Sequence, residues 1–145
     1  MSDAEVAEFL AAQRVVVVAT NGAGGWPHLM PLWYVIRDGE IWAWTYTKSQ
    51  KVKNLERDPR ATLQIESGEQ YHELRGVMVV ATTVVHRELD AVSELGSEIF
   101  ARYGGGEAGP DALDAVRAQA AKRVGLQFVP QSVASWDHGK LAGVY

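Results

Sequence analysis

The chain has 145 residues, no cysteine, and a net charge of −4 from 14 basic and 18 acidic residues. That length suits one domain, residues 1–145, and 47% hydrophobic against 22% charged residues is the balance of a chain with a packed core. The composition excludes disulfides, thiolate metal sites and cysteine nucleophiles, and the acidic balance argues against a dedicated nucleic-acid binder. Apolar runs such as Val15–Ala19 and Gly76–Ala81 fall far short of the ~20 residues of a membrane span. The acidic start, MSDAEVAEFL, does not read as a signal peptide. The expectation is a cytoplasmic protein with no membrane partner.

Ala4–Gln13 reads as a helix with Val6, Phe9 and Leu10 on one face and Ser2 or Asp3 as its cap. Arg14–Thr20 (RVVVVAT) is a β-branched strand, followed by a turn at Asn21–Gly25. Pro27–Ile36 is a second strand in which Pro31, lacking a ladder donor, predicts a bulge or an opening of the sheet. A hairpin turn centred on Asp38-Gly39 leads to the strand Ile41–Tyr46. Thr47-Lys48-Ser49-Gln50 fits a capping box, Thr47 as N-cap, for a helix that runs to about Arg57 and stops before Pro59.

Ala61–Glu66 alternates as a strand, and Ser67–Gln70 is a turn. Glu73–His86 is a long β-branched stretch, and Glu88–Tyr103 returns to helical spacing. Gly104–Gly106 ends that helix and Glu107–Pro110 forms a loop. Asp111–Lys122 is an Ala-rich helix, and Val124–Pro130 a further strand followed by Ser132–Asp137. Consecutive hairpins and the absence of GxGxxG favour an α+β fold with an antiparallel sheet of about six strands closed into a small barrel.

The densest chemistry lies at Tyr46–Leu55. Lys48, Lys51, Lys53, Arg57 and Arg60 bring five of the 14 basic residues within thirteen positions. A helix N-terminus offers free N–H groups and a partial positive charge. With the hydroxyls of Thr47 and Ser49 and the ammonium groups of Lys48 and Lys51 on one side, it describes a phosphate or carboxylate site. The alternative is a capped surface helix with solvated lysines, Val52 and Leu55 packing as core. Trp33, Trp42 and Trp44, with Tyr34 and Tyr46, either flank a planar ring or fill an aromatic core or dimer interface. His28, His72, His86 and His138 show no metal spacing, and no GxSxG occurs, so no metal ligand and no catalytic residue is assigned. An anion site beside rings, without a protein nucleophile, suggests that a cofactor carries the reaction.

These residues, taken in order, resemble the flavin and deazaflavin oxidoreductases of the pyridoxamine 5′-phosphate oxidase-like split-barrel superfamily. The likeness lies in the VVVVAT strand and Gly-rich turn, Pro27–Tyr34, the hairpin to Tyr46, and Thr47–Leu55 followed by Arg57-Asp58-Pro59-Arg60. Arg75-Gly76-Val77, Arg102-Tyr103 and Trp136 continue it. The resemblance implies a split β-barrel homodimer with two cofactor sites at its interface. Pro31, Leu32 and Trp33 would contact the ring system, largely through backbone. Tyr46, Thr47, Lys48, Lys51 and Asn54 would surround the ribityl and phosphate portion, and Trp136 would reach in from the partner subunit. A long anionic tail would run over Lys53, Arg57 or Arg60. The cofactor implied is the deazaflavin F420, with FMN as the alternative. The activity implied is hydride transfer from reduced deazaflavin to a small organic acceptor such as an enone, quinone or tetrapyrrole. A carrier that binds F420 without efficient turnover is the rival from a different class.

Overall fold

In the computed structural model, which describes residues 1–104 and 109–144, one antiparallel sheet curls around a single apolar core. The elements are α1 (Asp3–Ala12), β1 (Val16–Asn21), β2 (Pro27–Leu32), β3 (Val35–Arg37), β4 (Glu40–Tyr46), α2 (Gln50–Arg57), β5 (Arg60–Ser67), β6 (Arg75–His86), α3 (Leu89–Gly104), α4 (Pro110–Ala120) and β7 (Arg123–Asp137). Strand order is β2-β1-β5-β6-β7-β4-β3. The two edge strands are consecutive in the chain, so joining them bends the sheet into a half-barrel. This is the α+β split-barrel architecture expected of the sequence.

Period-2 alternation sets the core. Val16 and Val18, Leu63 and Ile65, Val77 and Val79, Leu126 and Phe128, and Ile41 and Ala43 all face inward and are buried. Phe9 and Leu10 of α1 pack on this core, and so do Val52 and Leu55 of α2. On the outer face α3 covers β3 and β4, with Leu95 and Ile99 against Val35, Trp42 and Trp44. The approach is close at Gly96, where a Cβ would sit 2.4 Å from the Trp44 ring.

Three sequence expectations change. The sheet has seven strands, because Pro27–Ile36 divides at Trp33-Tyr34 into β2 and β3. Helix α2 starts at Gln50 with Ser49, not Thr47, as N-cap, and no side chain makes the cap bond. The physical cause is that the Thr47 N–H still donates to Lys122 O, prolonging the β4–β7 ladder, while the Gln50 amide donates forward to Asn54 Oδ1 at 2.9 Å. Val124–Pro130 and Ser132–Asp137 form one strand, β7, interrupted by an irregularity between the pairs Pro130–Ala81 and Ser132–Val80. Pro130 lies past Phe128, the last residue of β7 paired with β4, so its missing N–H costs no bond on that side. At α1 the cap is Ser2, whose hydroxyl accepts from Glu5 N–H at 3.2 Å while Glu5 accepts from Ser2 N–H. The expected glycine stop and loop fall largely on 105–108, outside the described residues; Gly104 itself is still helical.

Candidate functional site

Helix α2 lies on one mouth of the half-barrel and carries most of the candidate residues. Its sequence, QKVKNLER, turns Val52 and Leu55 into the core. Lys51 and Asn54, one residue before each, are drawn in beside them and are buried. Three threonines facing inward from the strands are buried as well: Thr20 of β1, Thr45 of β4 and Thr83 of β6. These five are the buried polar residues among those described, and each lies on α2 or touches its side chains or the turn that follows it. Asn54 Nδ2 donates to Thr20 Oγ1 at 3.0 Å, Lys51 Nζ donates to Thr45 Oγ1 at 2.9 Å, and Thr83 N–H donates to Pro59 O at 2.7 Å.

Lys51 is the most telling of them. It is 6% exposed and forms no ion pair among the described residues; Thr45 takes one of its three ammonium protons. Burial pushes its pKa below the ordinary lysine value, because removal from water penalises the charged form. Nearby, Ser49 Oγ is buried without a partner at the N-cap. No acidic residue stands in the first turn of α2 to satisfy its N–H groups. An uncapped helix start, an unpartnered hydroxyl and an under-coordinated ammonium make a donor set suited to an anion.

The other expected residues are placed as follows. Lys48 is exposed and precedes the helix, so it does not share a helical face with Lys51 as the sequence suggested. Tyr46 lies on the opposite face of β4 from Thr45, its exposed ring 4.2 Å from the Arg123 guanidinium. Thr47 borders a separate hollow of about 260 Å³ with Arg87 and Arg123. Pro31 is exposed opposite Val17, and Leu32 is half-buried against the core. Trp33 is 51% exposed and stacks on Tyr103. Trp136 is half-buried over Gly76, where an added Cβ would fall 2.1 Å from its ring. Trp42 and Trp44 are packing residues: Trp42 stacks on His86, and Trp44 meets the edge of Phe100.

Of the residues suggested for an anionic tail, Lys53 is exposed while two arginines are already engaged. Arg57 donates to Asn21 O and Asn54 Oδ1, and Arg60 pairs with Asp58 at 2.8 Å. Sequence reasoning did not single out Thr20, Thr45 or the partnerless Nδ1 of His28, which is buried opposite Thr20 on β2. The alternation of IWAWTY, with Ile41, Ala43 and Thr45 in phase, was the signal for Thr45. Among the described residues no group of three His, Asp or Glu side chains is arranged to hold a metal, and no helix is long and apolar enough to cross a membrane.

The curled antiparallel sheet with α2 packed against it has the split-barrel architecture. The family model described as pyridoxamine 5′-phosphate oxidase matches residues 2–137, and the chain belongs to that family. Among solved structures, Rv2991 of Mycobacterium tuberculosis, described as a conserved hypothetical protein, is 39% identical. That match covers 100% of this chain and 90% of the other, with a TM-score of 0.91. A protein described as an F420 reductase is 18% identical over 88% of this chain and 94% of its own, TM-score 0.69. A FAD-binding protein from Mesorhizobium loti is 22% identical over 93% and 94%, also with a TM-score of 0.69. HutZ, the heme storage protein of Vibrio cholerae, is 17% identical over 91% and 92%, TM-score 0.71. A comparison with curated proteins gives no match.

Proposed function

We propose that the chain binds F420 and works as an F420-dependent oxidoreductase, passing a hydride from the reduced deazaflavin to a small organic acceptor. The observation that carries this reading is the buried Lys51 ammonium, with one hydrogen bond, beside the partnerless Ser49 hydroxyl at the start of α2. These residues suit the phosphate of such a cofactor. The exposed strand β2, with Pro31, Leu32 and Trp33 at its end, suits the ring. His28 lies level with the Thr20–Asn54 contact, and Trp33 is five residues further on, ~16 Å along an extended strand. A ligand touching both regions is elongated, an aromatic ring joined through a chain to an anionic group.

The bound cofactor would supply the hydride chemistry. The protein's part is to hold and shield it. Lys51, Ser49 and the α2 N–H groups neutralise the anion, Asn54 braces α2 against Thr20, and Tyr46, Thr47, Lys48 and Trp136 remain candidate contacts around the ribityl and phosphate portion. The acceptor class we propose is an enone, quinone or tetrapyrrole. FMN is the second cofactor reading, favoured by the family match itself; a carrier without efficient turnover is the third, in line with the heme storage neighbour.

We also propose a homodimer. The outer face of β2, β1, β5 and β6 is open, and Leu29, Met78 and Val80 are exposed on it at 57%, 38% and 38%. Titration with F420 and FMN in parallel, read by tryptophan quenching, tests the cofactor assignment. Preferential micromolar F420 binding followed by acceptor reduction is the expected result. Binding without turnover across acceptors would point to the carrier, and binding of neither would overturn the proposal.

A further inference from the structure

At the junction of β2 and β3, the Trp33-Tyr34 backbone leaves the sheet and the C-terminus of α3 takes over its bonds. The Tyr103 hydroxyl accepts from Tyr34 N–H at 2.9 Å and lies 2.7 Å from Arg14 O and 2.9 Å from Tyr34 O, either of which can take its proton. Arg102 donates to Tyr34 O and also reaches Leu10 O, Ala11 O and Gln13 O. The Tyr103 ring then lies parallel to Trp33, centroids 4.4 Å apart and planes 8° off. Arg102 and Tyr103 thus share the Tyr34 backbone that follows Trp33, while the Tyr103 ring alone sets the plane of the indole. Trp33 nevertheless stays 51% exposed, although one face of its indole is covered by Tyr103.

We propose that Tyr103 is a positioning residue that holds Trp33 as a stacking platform for the planar ring of a flavin- or deazaflavin-class ligand. The proposal rests on the reading above that the ring lies along β2. A free indole at a strand end would sample several rotamers, and ordering it on binding would weaken affinity. Here the order is built in before the ligand arrives. The phosphate end, at Lys51, is a separate set of residues, so the two can be tested apart.

The test uses lumichrome, a bare alloxazine ring without phosphate, and inorganic phosphate as independent probes. Variants are Tyr103→Phe, Tyr103→Met and Trp33→Leu. Phe and Met both lose the hydroxyl, and only Phe keeps a plane. Tyr103→Phe should bind lumichrome within about twofold of wild type, whereas Tyr103→Met and Trp33→Leu should weaken it roughly five- to tenfold, the scale of one aromatic stack. The thermal shift given by phosphate should be the same in all four proteins. Equal lumichrome affinity in Tyr103→Met and Tyr103→Phe, or no ring binding by wild type, overturns the platform. A missing phosphate shift with ring binding intact overturns the anion reading and leaves the platform standing. The Trp33 indole resonance gives a readout independent of whether Tyr103→Met folds. Lumichrome should move it in wild type and in Tyr103→Phe, and an unmoved resonance contradicts the proposal.

Discussion

Lys51 Nζ and Thr45 Oγ1 lie 2.9 Å apart beneath α2, in a layer that a small barrel would ordinarily fill with apolar side chains. The ammonium loses water there and regains one neutral hydrogen bond. Such an arrangement costs stability. The same layer holds Asn54 on Thr20, so the helix is registered on the barrel by polar contacts as well as by Val52 and Leu55.

Replacing Lys51 by Met keeps the stem and removes the charge. The ligand-free protein should gain about 1 kcal/mol, a rise of roughly 3–4 °C in melting temperature. The extra stability that inorganic phosphate gives the wild type should disappear. Differential scanning calorimetry with and without phosphate checks both. A fall of several degrees in the ligand-free variant would show that Lys51 is a structural residue.

The pH dependence follows from the lowered pKa of Lys51. The unfolded chain binds the proton more tightly than the folded one, so ligand-free stability rises as pH climbs from the lowered value towards the ordinary 10.5. Anion binding runs the other way: it needs the ammonium, and it should weaken over the same interval. Phosphate titrations between neutral pH and pH 10 should show wild-type affinity falling and Lys51→Met flat.

Arg102 spans Leu10 O, Ala11 O and Gln13 O at the C-terminal end of α1 and Tyr34 O at the strand break. Arg102→Leu leaves these carbonyls without their charged donor. The expected loss is about 3 kcal/mol, with faster amide exchange concentrated in the last turn of α1. Loss spread evenly over the sheet would contradict this assignment.

Gly96 has no room for a methyl group, since its Cβ would lie 2.4 Å from the Trp44 ring and 3.0 Å from Val116 Cγ1. Gly96→Ala should cost about 2 kcal/mol by pushing α3 off the sheet. Denaturant unfolding followed by tryptophan fluorescence measures it, and an unchanged midpoint would mean that α3 shifts freely.

At the other end of the chain Glu5 pairs with Lys140 at 2.7 Å and accepts from Ser2 N–H, which together lower its pKa to about 2. Its folded-state value is depressed, so its contribution is present above pH 4.5 and is lost as pH falls towards 2. Acid titration of wild type against Glu5→Gln should show that extra dependence only in the wild type.

The fold was legible where local rules and burial agree. RVVVVAT, ATLQIE and VMVVATTVVH alternate in phase with the core, and Asp38-Gly39 turns the β3–β4 hairpin with positive φ at both residues. The break at Trp33-Tyr34 was not legible as a strand end, because its cause, Tyr103, is 69 residues away. Pro31 pointed to the neighbourhood without giving the position. The start of α2 was misplaced for a similar reason: the Thr47 N–H is claimed by Lys122 O, a contact between distant segments. In the candidate site the lysine-rich phrase located the helix, but spacing could not tell exposed Lys48 from buried Lys51, because that depends on where α2 meets the barrel.

If Lys51 anchors the phosphate of an F420- or FMN-type cofactor, isothermal titration of each into wild type and Lys51→Met should separate the two proteins. Wild type should bind in the micromolar range, F420 the tighter, with affinity falling at least tenfold in the variant. Equal affinity in the two proteins, or no binding of either cofactor to the wild type, would show that Lys51 has no such role.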